Sequence, residues 1–379
     1  MKIVFVMAAK LNTGRGTERV LLSLLKYKPK DVEAIIIEPN FMDGERLKDT
    51  EIKNFIDNCK RITVDISTDK FKNILSFLWD RLIRKSLYRD LRERKFEEAK
   101  REIVGADIVY LFSNVLSIFF DKFDAPIIGS NHMDNLELLI KHKSFYKELY
   151  YNYFFKLYYK NISGIHFFPK MGKYIYDNKH RISLNHSFVL PNGVDTSLYF
   201  PNFTLIGRKV KFLFVAALSK EKGLDILLSL IEKLKDNREI EFHIVGLGDM
   251  ENKIKNNKNI IYHGLLSDTE LASLYRESDI FIYPTRNDLF PLVVLQALSS
   301  GLYVLCSDFL RGVFDDFEGK FLEYIKNDYQ EYYKKIKKII VNRDLIKHNK
   351  DEEYNYVKNC YDWSIVSKRF YEYIKELSK

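Results

Sequence analysis

Tyr283-Pro284-Thr285-Arg286-Asn287-Asp288-Leu289-Phe290-Pro291-Leu292-Val293-Val294-Leu295-Gln296-Ala297 runs from the end of a strand through a polar loop into a helix. The strand is the aromatic and β-branched run Ile280 to Tyr283, and the helix is the apolar run that follows Pro291. Pro291 suits the first helical position, which leaves the amides of Leu292 and Val293 free to face an anion, with the helix dipole adding to the attraction. Gln296 falls one to two turns inside that helix. Upstream, Phe214 to Gly223 repeats the arrangement: a strand, a short loop carrying Lys220 and Lys222, then a helix. A lysine there can reach a diphosphate.

Outward from these two pieces, short strand-like runs alternate with helical patterns along nearly the whole chain, which argues for parallel sheets covered by helices. In the second half the expected strands are 212–216, 241–245, 260–263, 280–283, 303–306 and 321–324. In the first half they are 3–7, 32–37, 61–65, 108–112, 126–129, 165–168 and 188–190. Residues 201–209 (PNFTLIGRK) carry a Pro, a Gly and little periodicity, and read as a linker. The expectation is an α/β chain of two Rossmann-like domains facing each other across a cleft. A ligand would lie in it, at the carboxyl ends of the strands.

Composition agrees with a folded chain. The 379 residues are 46% hydrophobic and 30% charged, unlike a disordered or fibrous sequence. The longest nearly unbroken apolar stretch, Ile108 to Phe120, is too short to span a bilayer and contains Ser and Asn. Met1 to Gly14 superficially resembles a signal peptide, but its apolar run is brief and leads into a glycine loop, so a buried first strand explains it better. Cys59, Cys306 and Cys360 are far apart and odd in number, which suggests neither a disulfide framework nor a zinc site, and fits a reducing cytosol.

The net charge of +9 is uneven: residues 1–200 hold 33 Lys and Arg against 25 Asp and Glu, and the rest hold 28 against 27. Within the first half, Lys70 to Arg101 has eleven basic residues against five acidic ones, interleaved with aromatic and aliphatic residues. That is a basic amphipathic helix pattern, which suits either an anionic membrane surface or a solvated helix packed on its own sheet. Phe145 to Phe168 is rich in Phe and Tyr, and could touch membrane or sugar. The polar face that Glu148, Asn152, Lys156 and Lys160 make reads first as a packing helix. Nucleic acid is not an expected partner, because no recognised binding motif accompanies the charge.

Two glycine pairs follow strands. Gly14-Arg15-Gly16-Thr17-Glu18 opens a helix, where backbone amides can approach an anion, and Gly246-Leu247-Gly248 follows the strand 241–245. Neither completes the dinucleotide fingerprint, since Arg19 and Glu251 stand where its last glycine would be. That disfavours a nicotinamide oxidoreductase.

Taken in order and spacing, these pieces resemble the large retaining glycosyltransferase family 4, of GT-B fold, over nearly the full length. The matching residues are Gly16 and Glu18, Asn192-Gly193-Val194-Asp195, Lys222-Gly223 and Gly246-Leu247-Gly248. To these are added Pro284-Thr285 with the acidic-x7-acidic element, Ala297 with Gly301, and Trp363 before the last helix. The resemblance implies an N-terminal acceptor-side domain over 1–200, a C-terminal donor-side domain over 201–360 and a helix over 361–379 crossing back to the first domain. It implies transfer of a sugar from a UDP- or GDP-linked donor to a saccharide or lipid-linked saccharide, with retention and with no metal or other cofactor. The chain contains no D-x-D and no H-E-x-x-H.

By the same resemblance, Lys222 and helix-terminal amides stabilise the leaving diphosphate. Asp288 contacts the donor sugar, Gln296 the ribose hydroxyls, and His132, after Ser130-Asn131, faces donor sugar or acceptor; a core or surface histidine is the alternative for His132. Gly16, Gly246, Gly248, Leu292 and Val293 complete the nucleotide side. Two departures stand out: Ala217 replaces a common Arg of the diphosphate site, for which Lys220 or Arg286 could compensate, and Gln296 replaces a Glu. They keep open a degenerate GT-B protein that binds without turnover, beside a nucleotide-sugar epimerase. The implied setting is the cytoplasm, at the inner face of the cell membrane if the basic segment binds lipid, in assembly of a polysaccharide such as lipopolysaccharide or capsule.

Overall fold

All thirteen runs read as strands form strands, each within two residues of its expected ends. The structure, a computed structural model, describes residues 1–7, 11, 16–39, 50–64, 97–112, 124–130, 162–168, 186–202, 209–255 and 257–378. His132, the loop residues 12–15 and the aromatic stretch up to 161 lie outside them, as does the basic stretch apart from 97–101.

The described strands form two sheets, both wholly parallel. In the first, β1 (Lys2–Val6), β2 (Glu33–Pro39), β3 (Arg61–Val64), β4 (Ile108–Leu111), β5 (Ile127–Ser130), β6 (Gly164–Phe167) and β7 (Phe188–Val189) lie in the order 3-2-1-4-5-6-7. In the second, β8 (Val210–Val215), β9 (Ile240–Val245), β10 (Ile260–Gly264), β11 (Ile280–Tyr283), β12 (Tyr303–Ser307) and β13 (Leu322–Ile325) lie in the order 10-9-8-11-12-13. Both are doubly wound: the order turns back beside β1 and β8, and sheets of this kind bind ligands at the carboxyl ends of the strands on either side of the turning point. The sequence dictates this plainly. Strands buried on both faces read as continuous apolar runs, and Phe212, Leu213 and Phe214 of β8 and Ile280 and Phe281 of β11 are 0–1% exposed.

The chain divides into two compact units, one built on residues up to Leu190 together with Ser367–Lys379, the other on Pro191–Val366. Pro191–Asn202 therefore belongs with the second unit, ahead of the stretch read as a linker. It is held there by the hydroxyl of Ser299 donating to Tyr199 O at 2.5 Å, by Arg276 donating to Leu198 O at 3.1 Å and by Trp363 N donating to Val194 O at 3.1 Å. The last helix, Trp363–Leu377, straddles the division. Its later part lies within the first unit, where Phe370 packs on Phe5 and Tyr110, and the Tyr371 hydroxyl donates to Leu24 O at 3.0 Å. Among the described residues, no helix is long and apolar enough to cross a membrane.

Candidate active site

The turning point of the second sheet lies between β8 and β11, and the loops that leave these two strands carry Lys222 and Asp288. Their side chains meet: Lys222 Nζ is 2.7 Å from Asp288 Oδ2 and donates to Asn287 O at 2.8 Å, both side chains being about one-fifth exposed. The two residues are 66 positions apart, so the contact is a product of the strand order.

The loops are joined along their length. Arg286 N donates to Glu221 O at 2.8 Å, and Asn287 Nδ2 donates to Glu221 Oε1 at 2.6 Å. Gly223 makes the approach possible. Its φ of 81° lies in the left-handed region, and a Cβ there would stand 1.9 Å from Pro284 O. Gly223 also precedes the helix Leu224–Leu234, whose buried Leu224, Leu227, Leu230, Ile231 and Leu234 recur at helical spacing and fix that helix to the sheet.

Arg286 is engaged elsewhere. Its guanidinium forks onto Asp225 at 2.6 and 3.0 Å and donates to Lys220 O at 2.5 Å. A bidentate pair of this kind is strong and directional, so as placed Arg286 ties the two loops together. Lys220 is exposed and its ammonium forms no ion pair among the described residues. Ala217 is also exposed and supplies no charge.

Beyond Asp288 the chain enters the helix Leu292–Ser299. Pro291 stands one residue outside the position expected for it: its ψ of 116° is extended, and its carbonyl accepts the first bond of the helix, from Val294 N at 3.1 Å. Leu292 and Val293 precede that first bond, so their amides belong to the open end of the helix. Gln296 is half-buried on the same helix, its Oε1 3.4 Å from the hydroxyl of Tyr275, which also donates to Val293 O at 3.1 Å.

The third loop of the site follows β9. Gly246 has φ 134°, and a Cβ there would lie 1.8 Å from Ala216 O, so the loops after β8 and β9 pack backbone to backbone. Leu218 N donates to Leu247 O at 2.9 Å, and Met250 N donates to Leu218 O at 3.0 Å. The Tyr262 hydroxyl braces the loop: it lies 2.9 Å from Glu251 Oε1 and 3.0 Å from Gly246 O, with one proton to share between the two acceptors.

The second unit thus gathers Lys220, Lys222, Gly246, Gly248, Asp288, Leu292, Val293 and Gln296 at the carboxyl ends of β8, β9 and β11. Gly16 opens the helix Gly16–Lys26 in the first unit and is exposed, and among the described residues no atom lies within 4 Å of where its Cβ would be. The sequence reading overlooked Tyr283, whose hydroxyl donates to Asp288 Oδ2 at 2.8 Å. Its place just before Pro284, at the carboxyl end of a strand beside the turning point, was the available signal.

A sequence family covers this ground. Residues 198–357 match the family described as glycosyl transferases group 1. The match lies within the second unit and covers less than half of the chain. Among curated relatives, the chain is 33% identical over 123 residues to an uncharacterized 41.2 kDa protein in the cps region of Klebsiella pneumoniae, covering 29% of this chain and 34% of that one. It is 28% identical over 187 residues to an uncharacterized glycosyltransferase of Methanocaldococcus jannaschii, covering 47% and 50%. It is 32% identical over 111 residues to the alpha-galactosylglucosyldiacylglycerol synthase of Streptococcus pneumoniae, covering 26% and 29%. The match spans half or less of each relative's length.

Solved structures agree on the fold along the whole chain. A sucrose-phosphate synthase from Thermosynechococcus elongatus superposes with a TM-score of 0.75 at 12% identity, covering 100% of this chain and 99% of that one. Anabaena HepE, in complex with UDP and glucose, superposes with a TM-score of 0.71 at 14% identity, covering 99% of each. The two Rossmann-like units are those of the GT-B glycosyltransferase structures.

Proposed function

We propose that this protein is a retaining glycosyltransferase that moves a sugar from a nucleotide-sugar to a saccharide or lipid-linked saccharide, without a metal. The observation that carries the reading is the Lys222 to Asp288 pair at the turning point of the second sheet, beside the open end of the helix Leu292–Ser299. A nucleotide diphosphate fits this place for stated reasons. An ammonium has three N-H donors; two of those of Lys222 are engaged by Asn287 O and Asp288 Oδ2, and the third is available to a phosphate oxygen. The amides of Leu292 and Val293 add oriented dipoles for the same anion.

In the reaction proposed, the bond between the anomeric carbon and the diphosphate oxygen breaks, and its electron pair leaves with the diphosphate. The acceptor hydroxyl oxygen forms the new bond to that carbon from the same face and passes its proton to the departing phosphate oxygen. Negative charge therefore grows next to Lys222, where a fixed cation lowers the barrier more than it tightens the ground state. Asp288 takes a hydroxyl of the transferred sugar, and Gln296 faces the ribose. HepE, bound to UDP and glucose, supports a uridine nucleotide as the first donor to try.

The test is release of UDP, GDP or ADP from a panel of nucleotide-sugars with simple glycosides and lipid-linked saccharides as acceptors. Release that requires an acceptor supports transfer. A second reading, binding without turnover, is favoured by Ala217 and Gln296, which remove a cation and a carboxylate from the site. Nucleotide binding with no release under any acceptor would establish it in place of the first. The basic stretch Lys70 to Arg101 motivates a peripheral membrane location. Binding to anionic vesicles that is reversed by salt and absent on neutral ones would support this; no binding would remove the membrane from the proposal.

A further inference from the structure

Asp288 sits on a loop, and the side chains that fix it are Lys222 and Tyr283. Tyr283 is the last residue of β11, 2% exposed, with its ring stacked on Phe281 at 5.8 Å and tilted against Phe214 at 6.4 Å. A phenol buried to that degree must place its hydroxyl against a protein acceptor, and the one it takes is Asp288 Oδ2, at 2.8 Å. Lys222 Nζ takes the same oxygen at 2.7 Å. Both donors thus fall on Oδ2, and Oδ1 has no hydrogen-bond partner among the described residues.

From this geometry we infer that Tyr283 is a positioning residue, holding the Asp288 carboxylate so that Oδ1 is presented to a hydroxyl of the donor sugar. The inference rests on the reading of the second unit as a donor site and goes beyond it by naming what aims the acid. Three features support it. The ring of Tyr283 is immobilised by the sheet, so its hydroxyl is a fixed point, whereas Lys222 approaches on a flexible stem and has a phosphate to serve. Burial, with the Asp288 charge beside it, pushes the Tyr283 phenol well up, so it stays a donor. And the two ties act on one oxygen, which fixes the rotation of the carboxylate as well as its place.

Calorimetric titration of wild type, Tyr283→Phe, Asp288→Ala and the double variant tests this. The probes are UDP, GDP and ADP alone and UDP-glucose, UDP-galactose, UDP-N-acetylglucosamine, GDP-mannose and ADP-glucose. If Tyr283 acts through Asp288, Tyr283→Phe leaves affinity for the free nucleotide within about twofold and weakens the matching nucleotide-sugar about tenfold, while adding nothing in the Asp288→Ala background. Equal loss for nucleotide and nucleotide-sugar, no loss for either, or full additivity with Asp288→Ala overturns the inference and leaves the donor-site reading intact. A wild-type chain that binds none of the probes overturns both. Thermal melts of the four proteins check folding: a Tyr283→Phe chain that melts with wild type but loses the sugar discrimination supports positioning.

Discussion

Strands β4 and β11 hold equivalent places, each paired with the strand at which its sheet turns back, and each carries a fully buried tyrosine. The two hydroxyls end differently. In β4, Tyr110 is 2.6 Å from His166 Nδ1, and His166 Nε2 is 2.7 Å from Leu190 O. A carbonyl only accepts, so Nε2 carries the proton and Nδ1 accepts from the phenol. Both ends of that chain are closed on the protein, under the ring of Phe370. In β11, the chain of donors stops at a carboxylate with one oxygen unclaimed among the described residues and one-fifth of its surface open. A closed buried network specifies packing, and one that ends on an unfilled acceptor specifies a partner. The same strand position thus serves stability in the first unit and, on our reading, recognition in the second.

The largest expected effect breaks the open network. Lys222→Ala should lower kcat by roughly a hundredfold to a thousandfold, about 3 to 4 kcal/mol of barrier if it behaves as a lost transition-state donor, and raise the donor KM far less. Steady-state kinetics in donor and acceptor decide this. A variant with normal kcat would remove Lys222 from the chemistry and leave holding Asp288 as its only surviving role.

Next is the closed network, where the expected effect is on stability. Burial pushes the pKa of His166 down to about 4, below the ordinary value near 6.5. Between these values the unfolded chain binds the proton and the folded chain does not, so this contribution is complete above about pH 6.5 and is lost as pH falls toward 4. The full loss is of the order of 3 kcal/mol, since each tenfold difference in proton affinity between the folded and unfolded chain is worth about 1.4 kcal/mol. Denaturant titrations at intervals from pH 7 to pH 4 should show His166→Gln with a shallower decline than wild type over that window. Parallel curves would mean that His166 takes up its proton without unfolding.

What could be read before the structure, and what could not, follows the range of the interaction. The strands were legible because a doubly buried parallel strand declares itself in its own few residues, as 280–283 and 212–216 do. Lys222, Asp288 and the Gly246 loop were legible because each lies where a strand ends and a helix or loop begins. The rest depends on partners remote in the chain. Arg286 has the charge of a phosphate ligand, yet its fork is taken by Asp225, 61 residues away. Pro191–Asn202 carries the Asn192–Asp195 motif but nothing local that says which unit it joins, and its place in the second unit comes from Arg276, Ser299 and Trp363. Tyr283 shows its place at the end of a strand beside the turning point, but nothing local shows which way its hydroxyl points.

The smallest expected effect sharpens the same comparison at a third buried tyrosine. Tyr275, 0% exposed, donates to Val293 O at 3.1 Å and lies 3.4 Å from Gln296 Oε1, so its network closes on the backbone and touches the ribose candidate only weakly. Gln296 is therefore free to turn toward a ligand. If it faces the ribose, Gln296→Leu removes the partner of a hydroxyl and should weaken nucleotide binding by about 1 kcal/mol, the usual net value of one hydrogen bond. Gln296→Glu replaces a neutral acceptor with an ionised one, and a bond to a charged group is worth more. Two effects oppose that gain. The carboxylate must be desolvated on a half-buried helix face, and the nearby diphosphate repels it while exposed Ala217 offers no cation to offset the charge. The net expectation is an improvement of less than tenfold. Calorimetry with the free nucleotide reads both variants: unchanged affinity in Gln296→Leu would place the ribose elsewhere and show that Tyr275 and Gln296 together form a closed, structural network like that of Tyr110 and His166.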